Sequence, residues 1–165
     1  YKVISGINVY GWCLMNNHVH LLLKEGQEEL STTMKRIGVT YVYHYNCKYK
    51  TIGHLFQDRF KSENVETIRY LLTVIRYIHQ NPLKAGIVPK IDEWKWSSFL
   101  GYLDKTIYPE DLLDHDYILN YFSANRAVAQ GRFEAFNLKN NKDECLEDQY
   151  IEKRRFTDEE ARKCI

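Results

Sequence analysis

Two apolar runs folded back on each other restrict this chain more than anything else in its 165 residues. Val3 to Met15 (VISGINVYGWCLM) is rich in β-branched and aromatic side chains and is predicted to be a strand. Met15-Asn16-Asn17 follows as a tight connection, since asparagine tolerates turn conformations. His18 to Lys24 is predicted to be the returning strand. Side chains alternate along a strand, so His18, His20 and Leu22 share one face and Val19, Leu21 and Leu23 the other. Apart from the two histidines the hairpin is apolar on both sides. That pattern calls for a central sheet covered by helices.

The rest of the chain supplies the helices. Leu30, Met34, Ile37, Tyr41 and Tyr45 recur at helical spacing and predict a helix over roughly residues 28–49, broken near Gly53. Leu55 to Lys61 (LFQDRFK) is expected to form a strand with Gln57, Arg59 and Lys61 on one face. Asn64 is a candidate N-cap, with Glu66 in the first turn. Ile68, Leu71, Leu72, Ile75 and Ile78 mark a second buried stripe, expected to end near Asn81 because the residue before a proline avoids helical geometry. Trp94, Trp96 and Phe99 are expected to pin the next segment down. Two shorter helices are expected between Pro109 and Asn137, one with Leu112, Leu113 and Tyr117, the other with Val128, Phe133 and Phe136. Residues 138–149 are polar and acidic and have the composition of a linker. Thr157 and Glu160 carry the start signature of another helix. The expected organisation is an α+β core over residues 1–105, a helical extension and linker over 106–150, and the start of a further helical domain over 151–165.

The candidate chemistry lies in the hairpin and the second helix. Two imidazoles on one strand face, about 7 Å apart along the strand, make a ready pair of metal ligands. They could instead be polar groups at a sheet end held by hydrogen bonds. Burying two imidazoles without partners costs several kcal/mol, order of magnitude, and a metal or phosphate removes that cost. Tyr77 and Asn81 are four apart and so share a helix face. Tyr77 offers a nucleophile and Asn81 a further ligand, although a core tyrosine and a helix-terminal cap are the plain alternatives. Together the four residues suggest cutting and rejoining of a phosphodiester through a covalent tyrosine link. His54 and His79 are taken as structural or surface groups.

Charge points the same way. The whole chain carries +1, yet residues 1–90 carry a net +6 and residues 91–165 a net −5. A phosphate-rich partner is attracted to the first half. Lys35, Arg59, Lys61, Arg76 and Lys84 are the candidate phosphate contacts, and Tyr41, Tyr43, Tyr45 and Tyr49 could stack unpaired bases. Cys13, Cys47, Cys145 and Cys164 show no paired spacing, which suits free thiols in a reducing cytoplasm. No apolar run reaches membrane-helix length and no signal peptide is visible.

Four blocks then carry a resemblance: Gly11-Trp12-Cys13-Leu14-Met15-Asn16-Asn17-His18-Val19-His20-Leu21-Leu22-Leu23; Gly53-His54-Leu55-Phe56-Gln57-Asp58-Arg59-Phe60-Lys61; Tyr77-Ile78-His79-Gln80-Asn81-Pro82-Leu83-Lys84-Ala85-Gly86-Ile87-Val88; and Trp94-Lys95-Trp96-Ser97-Ser98. In this order, over about residues 11–102, the chain resembles the single-tyrosine HUH transposases, most closely the REP-associated tyrosine transposase group. Asn16 stands where that family commonly has proline. The resemblance implies a ferredoxin-like antiparallel sheet flanked by helices, with the family's first strand and helix expected ahead of Tyr1. It implies that His18, His20 and Asn81 bind a divalent metal, Mn²⁺ or Mg²⁺, and that Tyr77 is the nucleophile. The implied substrate is single-stranded DNA beside a hairpin, cut through a 5′-phosphotyrosine and rejoined without ATP, by a nucleoid-associated protein of the bacterial cytoplasm for which a homodimer is one expected form. A domesticated relative that only binds DNA is the main alternative. A histidine-triad nucleotide hydrolase also carries His-x-His on a strand, but its pattern needs a third alternate histidine, and position 22 is Leu.

Overall fold

The computed structural model describes residues 1–105, 108–109, 111–140 and 143. The expected helix start at Thr157 lies outside the described residues. The chain opens with one helical turn, α1 (Lys2–Ser5), rather than with the strand expected from Val3. Gly6 stops it at φ 68°, and its N–H donates to the Lys2 carbonyl. Only glycine enters that left-handed region at little cost. The sheet therefore starts later. β1 (Asn8–Leu14) pairs antiparallel with β2 (Val19–Lys24), in a register that sets Cys13 opposite His20 and Leu14 opposite Val19.

The two strands differ in burial. Val9 to Cys13 are all buried, whereas Val19 and Leu21 on β2 are 46% and 38% exposed. The expectation of cover on both faces thus holds for β1 and not for β2 among the described residues. The outer edge of β1 is closed by later segments. The Trp12 N–H donates to Ser98 Oγ at 2.9 Å, the Leu14 N–H to the Trp96 carbonyl at 2.9 Å, and the Val9 N–H to Asp114 Oδ2 at 2.7 Å. Trp94 Nε1 donates to the Leu14 carbonyl. Residues 94–98 are pinned as expected, but mainly by the backbone, because the Trp96 ring is 44% exposed.

α2 (Leu30–Tyr49) forms close to its expected bounds and ends at Lys50, which takes the left-handed cap at φ 53°. Of its residues only Thr33 is buried. Residues 51–66 are irregular and mostly exposed, and Leu55–Lys61 form no strand. The alternation seen there gives the right side-chain pattern but no neighbouring strand supplies hydrogen bonds. α3 (Ile68–Lys84) is capped by Thr67, whose side chain accepts from the Tyr70 N–H; Asn64 is not the cap. The helix also runs past Asn81 and includes Pro82. A proline removes one N–H and crowds the preceding turn. Here the helix ends two residues later, where the Asn81 and Pro82 carbonyls accept from the N–H groups of Ala85 and Ile87.

α3 crosses β1 closely at Gly11, where an added Cβ would meet the Ile75 side chain at 3.4 Å. After a 3-10 turn at Ile91–Glu93 and another at Ser98–Leu103, α4 (His115–Leu119) and α5 (Arg126–Leu138) complete the described chain. Ile118, Leu119, Ala129 and Phe133 join the same buried cluster as Val9, Trp12, Ile75 and Phe99. Tyr102 stacks on Phe133 with ring centroids 4.2 Å apart. The second and third helices expected from periodicity, α3 and α4, therefore frame one core together with α5, and this core holds β1 and α3 in the fixed relation on which the site depends.

Candidate active site

The site is assembled where β2 meets α3. His18 lies at the end of the turn and His20 one residue into β2. Their Nε2 atoms are 3.1 Å apart, with the rings nearly perpendicular and their centroids 4.8 Å apart. The Nδ1–H of His18 donates to Asn17 Oδ1 at 2.6 Å. That bond fixes the His18 tautomer and leaves a lone pair on Nε2. Without a ligand, His20 then donates its own Nε2–H to that lone pair. Two imidazole nitrogens aimed at one point, with one tautomer already set, suit a divalent ion. Asn17 was legible only as a turn residue; its carboxamide directly before the histidine was the available signal.

Tyr77 comes from α3 and stands edge-on to His20, with ring centroids 6.0 Å apart and an interplanar angle of 89°. It is 5% exposed. One chain thus supplies both the imidazole pair and the tyrosine. Asn81 lies one turn further along α3. Its side-chain nitrogen is buried with no hydrogen-bond partner among the described residues. A buried amide nitrogen without a protein partner costs about 1–3 kcal/mol; it can only donate, so a metal here would be met by the amide oxygen instead. Among the described residues no third His, Cys, Asp or Glu joins the pair. Any metal held here takes its remaining ligands from an amide, water or substrate oxygens, a set that suits Mn²⁺ or Mg²⁺.

His18, His20 and Tyr77 open into a cleft of about 1330 Å³, whose walls include Arg59, Lys61, Leu71 and Val74. Arg59 and Lys61 are exposed there, so the irregular segment 51–66 brings two cations to the site without forming a strand. The other candidate phosphate contacts go elsewhere. Lys35 lies in a separate shallow depression with Tyr1 and Val39. Arg76 makes a two-pronged ion pair with Asp143, at 2.6 and 2.9 Å. Lys84 sits over the Tyr77 ring, its Nζ 5.0 Å from the centroid. Tyr41, Tyr43 and Tyr49 are more than half exposed, as base-stacking groups need to be.

His79 is structural. It is fully buried and its Nδ1 and Nε2 lie 2.9 Å from Asn137 Oδ1 and Ser98 Oγ. Asn137 Nδ2 donates to the Phe133 carbonyl, so its oxygen accepts from the imidazole. Desolvation lowers the His79 pKa to about 4. Burial likewise pushes the Cys13 thiol up to about 12, which leaves it an inert core group.

An imidazole pair at the start of β2 thus faces a helical tyrosine in an α+β frame. Residues 2–81 match the family described as "Transposase IS200 like". "Putative REP-associated tyrosine transposase" of Haemophilus influenzae is 29% identical over a 111-residue alignment, with 60% of this chain and 62% of that protein covered. "REP-associated tyrosine transposase" of Escherichia coli (strain K12) is 26% identical over 105 residues, 62% of this chain and 61% of that protein. The matches span about three fifths of the length of these curated relatives. No solved structure matches. Among the described residues no helix is long and apolar enough to cross a membrane.

Proposed function

We propose that this protein is a divalent-metal-dependent endonuclease and strand transferase acting on single-stranded DNA beside hairpins, with Tyr77 as the nucleophile. The observation that carries the reading is the edge-on packing of Tyr77 against His20, next to two imidazole nitrogens 3.1 Å apart. His18 and His20 hold the ion, and Asn81 adds its amide oxygen. When bound, Mn²⁺ or Mg²⁺ supplies Lewis-acid polarisation of a non-bridging oxygen of the scissile phosphate.

The chain's own residues do the rest. Tyr77 Oη attacks phosphorus, so the Oη–P bond forms and the bond to the 3′-oxygen breaks. The phenolic proton passes to water, and the departing oxygen takes up a proton to become a free 3′-hydroxyl. The product is a 5′-phosphotyrosine that keeps the phosphodiester energy. The reverse step joins strands without ATP. Burial of Tyr77 fixes the ring for in-line approach. Arg59 and Lys61 hold neighbouring phosphates in the cleft. The resemblance to REP-associated tyrosine transposases favours an unpaired strand with a hairpin next to the cut.

A labelled hairpin oligonucleotide tests the proposal. Nicking is expected with Mg²⁺ or Mn²⁺ and none with excess EDTA. A relative that only binds DNA would shift the oligonucleotide on a native gel and never cut it. Full cleavage in EDTA would refute the metal role.

A further inference from the structure

We propose that Lys84 is a positioning residue for Tyr77 and that Arg76 and Asp143 hold it in place. This rests on Tyr77 being the nucleophile. By sequence pattern both cations belong on DNA phosphates. The structure gives them protein partners instead. Lys84 Nζ stands 5.0 Å from the centre of the Tyr77 ring. It donates to the main-chain carbonyl of Asp143 at 3.1 Å. The Asp143 carboxylate accepts from Arg76 Nε at 2.6 Å and Nη2 at 2.9 Å. The Arg76 guanidinium lies 4.1 Å from the centre of the Phe136 ring. The Arg76 and Asp143 side chains are each only 13% exposed.

Arg76 and Lys84 are eight residues apart on α3, a little over two turns, so both lie along one side of the helix. Asp143 bridges them from beyond α5. A two-pronged arginine–carboxylate pair packed on an aromatic ring is the better defined end of this bridge. A lysine stem is flexible, and its ammonium stays over a ring only where something holds it. The Asp143 carbonyl does so. Tyr77 therefore has a cation on its face and the His20 imidazole against its edge. With both, the ring has one orientation and its hydroxyl one direction. Misplacing a reacting group by about 1 Å costs on the order of a hundredfold in rate. Arginine at position 84 keeps the cation over the ring, whereas methionine keeps only the stem.

The test uses the full chain and two readouts. One is the rate of single-turnover nicking of a fluorescein-labelled hairpin oligonucleotide at saturating protein with Mg²⁺. The other is the ¹⁹F resonance of 3-fluorotyrosine at position 77 without DNA. Lys84→Met should slow nicking at saturation about tenfold, the loss expected for one cation–ring contact, while the dissociation constant and its salt dependence stay as in wild type. Lys84→Arg should restore most of the rate. Asp143→Ala should reproduce the Lys84→Met loss, and the double variant should be no slower than either single one. The fluorine resonance should move in Lys84→Met and in Asp143→Ala but not in Lys90→Met. An unmoved resonance in Lys84→Met overturns the proposal. So does a Lys84→Met protein that binds DNA more weakly, with a shallower salt dependence, and cuts at the wild-type rate once saturated. The fluorine readout needs neither DNA nor turnover. A wild type that forms no adduct thus refutes the phosphotyrosine reading, while the resonance still decides where Lys84 sits.

Discussion

Acid should destabilise this protein measurably through one imidazole. His79 is fully buried between Asn137, Ser98 and the rings of Phe99, Tyr102 and Phe133. Desolvation lowers its pKa from 6.5 to about 4. The unfolded chain therefore binds a proton at higher pH than the folded one. A histidine held neutral in this way contributes its full stability above the unfolded pKa and loses it as pH falls towards the folded one. Between pKa values of 6.5 and about 4 the total is about 3 kcal/mol, of which about 2 kcal/mol is lost between about pH 7 and pH 5. For a chain of this size ~2 kcal/mol corresponds to a fall of roughly 4–8 °C in Tm. Carboxylates also titrate in this range, so the comparison is made against His79→Gln, which keeps a hydrogen-bonding side chain and removes the titration. The wild type should lose about 2 kcal/mol more than the variant over that interval, by urea denaturation at each pH. The imidazole signal of His79, followed by NMR in the folded protein, should stay that of the neutral ring down to about pH 4.5. Parallel stability curves for the two proteins, or a His79 that titrates near 6.5, would refute the assignment of a dry, neutral imidazole.

Other outcomes are equally specific. Gly26→Ala should destabilise the fold by about 1–3 kcal/mol or more in urea denaturation, because its Cβ would fall 2.2 Å from the Gly6 backbone, which must then move. Arg59→Ala and Lys61→Ala should each weaken hairpin binding and reduce the slope of log K against log salt by about one, whereas Lys35→Ala, outside the cleft, should leave both nearly unchanged. His18→Ala and His20→Ala should abolish Mn²⁺ binding measured by calorimetry while leaving the circular dichroism spectrum unaltered. Asn17→Ala should weaken that binding roughly 10–100-fold through the lost Nδ1–H hydrogen bond.

Much of this architecture could be read from residue patterns. Period-two alternation in His18–Lys24 and the 3.6-residue stripe through Leu71, Ile75 and Ile78 are local signals, and local structure follows them in β2 and α3. The failures arise where a distant partner decides. Leu55–Lys61 alternates like a strand, but a strand exists only with a neighbour to bond, and none lies beside it among the described residues. Val3 and Ile4 suit a strand by composition, yet Gly6 turns the chain first and leaves both exposed. The imidazole pair was visible in His18-Val19-His20 because a strand sets its spacing. The fates of Arg76 and Lys84 were not, because Asp143 lies more than fifty residues away and nothing in a basic helix foretells it.

The central claim is that Tyr77 forms a covalent bond to DNA. The direct measurement is mass spectrometry of the protein–DNA adduct formed with Mg²⁺ on a hairpin oligonucleotide, comparing wild type with Tyr77→Phe. Phenylalanine keeps the buried ring against His20 and removes only the hydroxyl. The account predicts a 5′-phosphate adduct on Tyr77 in wild type. In Tyr77→Phe it predicts near-normal hairpin binding with neither adduct nor cutting, while Tyr70→Phe and Tyr102→Phe still cut. An adduct that persists in Tyr77→Phe, or that maps to another tyrosine, would contradict it.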